Sequence, residues 1–228
     1  MNRLGFFGAA AIASVLCFSS SPALAAGEVS GAALDLVVAG TNTGNGGLFV
    51  SRVIRDAFDF SDAEMKYYWS YSNVNAARWY SAIVDEDHFV RITNIADVKA
   101  DQLLAINAVT SPVYAGHVVV IIGAPIDITP PYDFYTPYIE GTKQWALPIA
   151  DSTGSEHGQN ASYPDSRRVD GSFKGSLPGT AYMRLYSDAY TGEILAYSWS
   201  VAATSEAAVY DAYERPFAVG EIDLPSYP

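Results

Sequence analysis

The hydrophobic period of this sequence changes once, near Thr93, and that change dictates the class of fold. Before it, apolar residues recur three and four apart: Phe49, Val50, Val53, Ile54, Ala57 and Phe58, with Arg52, Arg55 and Asp56 between them. The spacing predicts an amphipathic helix over 48–58, with Asn45 as its cap. Further helices are predicted over 61–71 and over 75–84, where Ala76, Trp79, Tyr80 and Ile83 share a face. After Thr93 come short, continuous apolar runs, Leu103 to Ile106 and Val118 to Ile122, bounded by Gly, Pro and Asn. These read as buried strands. Strands are also expected over Trp145 to Ala150, Ala181 to Ser187 and Ile194 to Val201, with Pro216 to Ile222 as a last edge. Helices first and an antiparallel sheet second define an α+β domain, its N-terminal helices packed on the sheet.

Two stretches interrupt this pattern. Residues 125–144 carry four prolines and a cluster of tyrosines, a composition that excludes a helix and reads as a loop-like insertion. The stretch Asp151-Ser152-Thr153-Gly154-Ser155-Glu156-His157-Gly158 and the segment from Ala161 to Gly179 are polar and rich in turn residues.

The first 25 residues have the grammar of an export signal. Arg3 is followed by a small-and-apolar run from Leu4 to Phe18 and by Ala23-Leu24-Ala25, a small-residue cleavage pattern. That run is short for a span of a ~30 Å hydrocarbon core. The expected organisation is a signal peptide over 1–25 and a single domain over 26–228, periplasmic or extracellular, without a transmembrane segment. Cys17, the one cysteine of the 228 residues, lies in the leader. A chain so processed has no thiol, so disulfides and multi-thiolate metal sites are excluded. With 13 basic and 25 acidic residues the net charge is −12, which repels a phosphate backbone and argues against nucleic acid as a partner.

Chemistry is concentrated around His117, which follows Gly116 and opens the run to Ile122. Asp151 ends the next predicted strand. If the two strands pair antiparallel, the end of one lies beside the start of the other, and the carboxylate can hold one imidazole nitrogen. The competing readings are a histidine bonded to backbone and an Asx turn at Asp151. His117, Asp151 and His157 could instead share a metal that activates water, although their spacing matches no recognised ligand pattern. His88 is expected to cap locally. Asn160-Ala161-Ser162 fits the glycosylation pattern, too short a motif to be read as a modification.

Gly116-His117-Val118-Val119-Val120, Asp151-Ser152-Thr153 with His157-Gly158, Asp165-Ser166-Arg167, Met183-Arg184-Leu185-Tyr186, Tyr197-Ser198-Trp199-Ser200 and Arg215-Pro216 occur in an order that resembles bacterial cell-wall NlpC/P60-type proteins. The resemblance runs from about Asn45 to about Ile222. It implies a papain-like α+β fold whose active members are cysteine peptidases or amidases acting on peptidoglycan stem peptides. The family's nucleophile stands in Asp-Cys-Ser-Gly-Phe-Val; the matching stretch here is Asn45-Gly46-Gly47-Leu48-Phe49-Val50. Gly46 therefore takes the place of the cysteine, His117 matches the base and Asp151 the orienting group. The family's Gly-Asp-Leu-Leu appears here as Asp101-Gln102-Leu103-Leu104.

Glycine has neither thiol nor hydroxyl, so a thiolate activated by a helix terminus and an imidazolium cannot form. Ser51 lies too far along and around the helix to replace it, and nothing places Thr43. The resemblance thus implies a catalytically inactive protein that binds a peptide or peptidoglycan fragment in the groove, with Asn45, Gly47 and His157 beside it, and without a cofactor or metal. Two other functions are compatible with the sequence. One is a hydrolase using a metal or a Thr/Ser nucleophile. The other is an envelope interaction protein whose surface is the aromatic insertion with Tyr135, Tyr138 and Trp145, residues of the kind that anchor interfaces.

Overall fold

Among the residues that the computed structural model describes (28–107, 116–129, 140–158, 160–201 and 209–225), four α-helices precede every strand. They are α1 (Glu28–Ala39), α2 (Gly47–Phe58), α3 (Asp62–Trp69) and α4 (Ala76–Val84). The predicted leader lies outside the described residues. Helix α1 has no counterpart in the sequence reading. Val29, Ser30, Ala33 and Leu36 are its buried residues, but Leu34 and Val38 are exposed, so no polar face marks the helix out.

The helix ends follow local chemistry. Ser61 and Glu64 form a capping box on α3, with the Ser61 N–H donating to Glu64 Oε2 at 2.7 Å. Asn75 Oδ1 accepts the Arg78 N–H at 2.8 Å and caps α4. On α2 the expectation is corrected: the capping position belongs to Gly46, without a side-chain bond, and Asn45 contributes only its carbonyl, which accepts the Leu48 N–H at 3.0 Å.

The strands are β1 (Phe89–Ile92), β2 (Gln102–Ile106), β3 (His117–Ile121), β4 (Ile126–Asp127), β5 (Thr142–Thr153), β6 (Arg168–Val169), β7 (Ser172–Phe173), β8 (Leu177–Asp188), β9 (Ile194–Ser198), β10 (Val209–Asp211) and β11 (Phe217–Ile222). All pairings are antiparallel, and the main sheet runs β1-β11-β2-β3-β5-β8-β9-β10, with β4 added on β5 and β6–β7 forming a separate hairpin. The sheet curls until the segment after β1 meets the start of β9. There the Ile95 N–H donates to Gly192 O and the Ile194 N–H to Thr93 O, each at 2.9 Å.

Side chains on successive strand residues point to opposite faces. Leu103, Ala105, Val118, Val120, Ala150 and Ala218 pack with Phe49, Val53, Ile54, Trp69, Trp79 and Ile83 of the helices. Leu104, Ile106, Val119, Ile121, Leu147, Ile149, Met183, Leu185 and Val219 fill the inside of the curl. Both faces of β2 and β3 are covered, which explains why Leu103–Ile106 and Val118–Ile121 are apolar at every position.

Three boundaries differ from the sequence reading. β11 is interior, paired to both β1 and β2, rather than an edge. Strand β5 extends from Thr142 to Thr153, so Asp151 lies within it opposite Gly179 and not in an Asx turn. The two ends of the supposed insertion are sheet, with Ile126 opposite Ala146 and Thr142–Gln144 belonging to β5. Its middle, 130–139, with Tyr135 and Tyr138, lies outside the described residues. No described helix is long and apolar enough to cross a membrane.

Candidate functional site

The N-terminus of α2 meets the first residue of β3 at Gly46 and His117. Gly46 has φ +38°, a conformation that L side chains rarely adopt, and a Cβ placed on it would lie 2.9 Å from His117 Nδ1. Gly47 has a different constraint: its Cβ would lie 2.6 Å from the Val74 carbonyl oxygen, so only glycine lets α2 come this close to residues 74–75. Both glycines, with Asn45, Leu48, Asn73, Asn75 and His117, line an open cleft of about 210 Å³. Among the described residues its lining carries three carboxamides and one imidazole and no carboxylate, lysine or arginine.

Behind the cleft, His117 is held from the other side. Its Nε2 lies 2.7 Å from Asp151 Oδ2, and His157 Nε2 lies 3.0 Å from the same oxygen. Arg167 Nη1 donates to the other carboxylate oxygen, Oδ1, at 2.9 Å. Arg167 also grips Asp165 in a fork, Nε to Oδ1 and Nη2 to Oδ2, each at 2.8 Å, and the His157 N–H donates to Asp165 Oδ2 at 3.0 Å. Asp151, His157, Asp165 and Arg167 are all buried.

Donor and acceptor identities assign the protons. A carboxylate only accepts, so both Nε2 atoms carry hydrogen. His157 Nδ1 faces a second acceptor, the Trp199 carbonyl, at 2.7 Å; His157 satisfies both contacts only with both ring protons in place. His117 differs, because its Nδ1 has no hydrogen-bond partner among the described residues and faces Gly46 and the cleft. Trp199 fixes both rings, stacking on His157 at 4.1 Å and meeting His117 edge-on at 5.0 Å. Its indole N–H donates to the Glu156 carbonyl at 3.0 Å.

Burial alone would raise the carboxyl pKa of Asp151. The charges of His157 and Arg167, with the hydrogen bonds from His117 and His157, outweigh burial and hold it well below the usual carboxylate range. A carboxyl depressed in the folded state contributes stability above its unfolded value, about 3.9, and that contribution disappears as pH falls through the interval down to the folded value. The stability difference between the wild type and Asp151→Asn, read from urea unfolding, is therefore expected to shrink as pH falls below about 4. A difference that grows on acidification would contradict this assignment.

The structure thus brings together three of the sequence candidates, Gly46, His117 and Asp151, and adds Asn45 and Gly47 as cleft walls. His157 is moved from the groove to the buried support, where it is 2% exposed rather than part of a loose turn. Trp145 belongs to β5, its indole N–H donating to Ser187 Oγ at 2.9 Å, which removes it from the aromatic surface. Ser51 exchanges hydrogen bonds with both backbone groups of Val74, and the Thr43 hydroxyl donates to the Gly44 carbonyl at 3.3 Å, so neither hydroxyl stands at His117. The Gly46 N–H, which a free helix terminus would offer a ligand, is instead donated to the Ser152 carbonyl at 2.8 Å.

The metal arrangement does not fit either. The two Nε2 atoms point at one carboxylate oxygen, the Arg167 cation holds the other, and no group of three ligating side chains among the described residues is disposed around a metal. His88 does not cap a helix; it has φ +64°, packs edge-on against Tyr68, and its carbonyl accepts the Asp223 N–H. The roles of Asp165, Arg167 and Trp199 went unassigned from sequence. Their visible signals are the Asp165-Ser166-Arg167 triplet in an otherwise turn-rich stretch and the Tyr197-Ser198-Trp199-Ser200 run.

The site is a His–Asp pair on an antiparallel sheet, with the glycine start of α2 facing Nδ1 of the imidazole. No family model and no solved structure matches the chain. Over 184 residues it is 27% identical to "Uncharacterized protein R653" of Acanthamoeba polyphaga mimivirus, an alignment covering 77% of this chain and 76% of that protein.

Proposed function

We propose that this chain is an exported, degenerate NlpC/P60-like protein with a papain-like fold, inactive as a cysteine peptidase, that binds a peptide or peptidoglycan-derived segment in the cleft at Gly46. The supporting observation is the geometry of residue 46. Its side-chain direction runs to His117 Nδ1 while Nε2 of the same ring is held by Asp151, the order of groups that a cysteine hydrolase needs, with the thiol removed. The order of the motifs from Gly116-His117 to Arg215-Pro216 is the resemblance on which this reading rests. The uncharged lining suits a ligand's peptide groups, since a carboxamide offers both a donor and an acceptor.

The test is a titration of ¹⁵N-labelled protein with the stem tripeptide L-Ala-γ-D-Glu-L-Lys, followed through the backbone amides and the His117 ring. Saturable shifts at Gly46, Gly47, Asn75 and His117, with a Kd between about 1 µM and about 1 mM, are expected for a small cleft. Shifts scattered over the surface, or none at millimolar peptide, would sink the reading.

A further inference from the structure

Beyond binding, we propose that His117 and Asp151 are a working general base, which activates a water molecule beside Gly46 to hydrolyse small uncharged esters without a protein nucleophile. His117 is 6% exposed, yet its Nδ1 is unpartnered among the described residues and opens on the cleft. A buried imidazole with one nitrogen hydrogen-bonded to a carboxylate is fixed in the tautomer that leaves the other as a lone pair. The carboxylate also stabilises the imidazolium formed when that lone pair takes a proton. The point that a side chain at 46 would occupy is 2.9 Å from Nδ1, so Gly46 leaves this nitrogen approachable from the cleft. The support behind the ring is rigid, because Asp151 is itself held by His157 and Arg167, and Trp199 packs on both imidazoles.

The step is balanced. Water transfers a proton to Nδ1 as its oxygen bonds to the ester carbonyl carbon; the tetrahedral intermediate then breaks its C–O bond to the alcohol, which recovers the proton from Nδ1. One water and one ester become one acid and one alcohol. Gly47, the first residue of α2, lines the same cleft, and its N–H, which has no acceptor within the helix, is the donor we assign to the developing oxyanion. Esters are specified because a lone general base contributes about 10²–10⁴-fold, which is modest against an amide barrier.

The experiment uses the intact protein and N-acetylglycine methyl ester, with methanol release followed by NMR. Its poor leaving group disfavours direct attack by imidazole. Expected are steady turnover above buffer, a loss of about 10²-fold or more in His117→Gln, whose amide can keep the bond to Asp151, and no change in His88→Ala. Equal rates in wild type and folded His117→Gln would overturn the proposal. So would an acyl adduct on His117 detected by mass spectrometry, or no turnover above buffer. The peptide titration stands apart from all three results, so binding without turnover leaves the previous reading intact.

Discussion

Asp151→Ala is expected to destabilise the protein by about 3–5 kcal/mol, measured as a lower urea midpoint with an unchanged m value. Removing one partner of a buried charge cluster costs more than the pair contributes, because the remaining charges stay buried without compensation. Here the loss of one fully enclosed carboxylate orphans three donors at once: His117 Nε2, His157 Nε2 and Arg167 Nη1. Arg167 keeps its fork to Asp165, so the cluster is expected to loosen around the two imidazoles first. Asp151→Asn keeps one acceptor oxygen and the side-chain volume, and its loss is expected to be smaller. A cost below about 1 kcal/mol for the alanine variant, the range of exposed ion pairs, would show that water reaches the cluster in solution.

Gly46→Ala is the second large effect. Two terms add: a strained backbone at φ +38°, worth about 1–3 kcal/mol, and a methyl group 2.9 Å from a ring anchored by Asp151 and Trp199. Gly171→Ala provides the control, because Gly171 has φ +75° but nothing within 4 Å of its Cβ position. Gly46→Ala is expected to cost more than Gly171→Ala, and to shift the ring resonances of His117 and Trp199, which Gly171→Ala leaves in place. Equal costs would mean that the His117 ring yields freely. A cysteine meets the same two obstacles. Gly46→Cys is therefore expected to be destabilised at least as much as Gly46→Ala.

What could be read from residues alone depended on how local the cause was. The face of α2 with Phe49, Val53 and Ile54 and the face of α4 with Ala76, Trp79 and Ile83 follow from 3.6-residue periodicity, so both were legible. Helix α1 lacks a polar stripe and was missed. At the site, His117 and Asp151 were paired by assuming antiparallel neighbours, and their side chains lie 2.7 Å apart. The neighbours of that pair were not legible. Arg167 reaches Asp151 from 16 residues further along the chain, beyond the end of β5, and Trp199 arrives from just after β9, 42 residues from His157.

By itself the sequence determined the class of fold and the buried character of β2 and β3. Those are properties of composition and short-range period, fixed by side-chain geometry within one element. Only the tertiary structure decided that β11 enters the middle of the sheet, that His157 leaves the groove for the buried support, and that the Gly46 N–H is committed to Ser152. Each of these depends on strand order and register between distant segments. A one-residue change of register sends a side chain to the other face of a sheet, and the local pattern carries no record of which distant strand will be the neighbour.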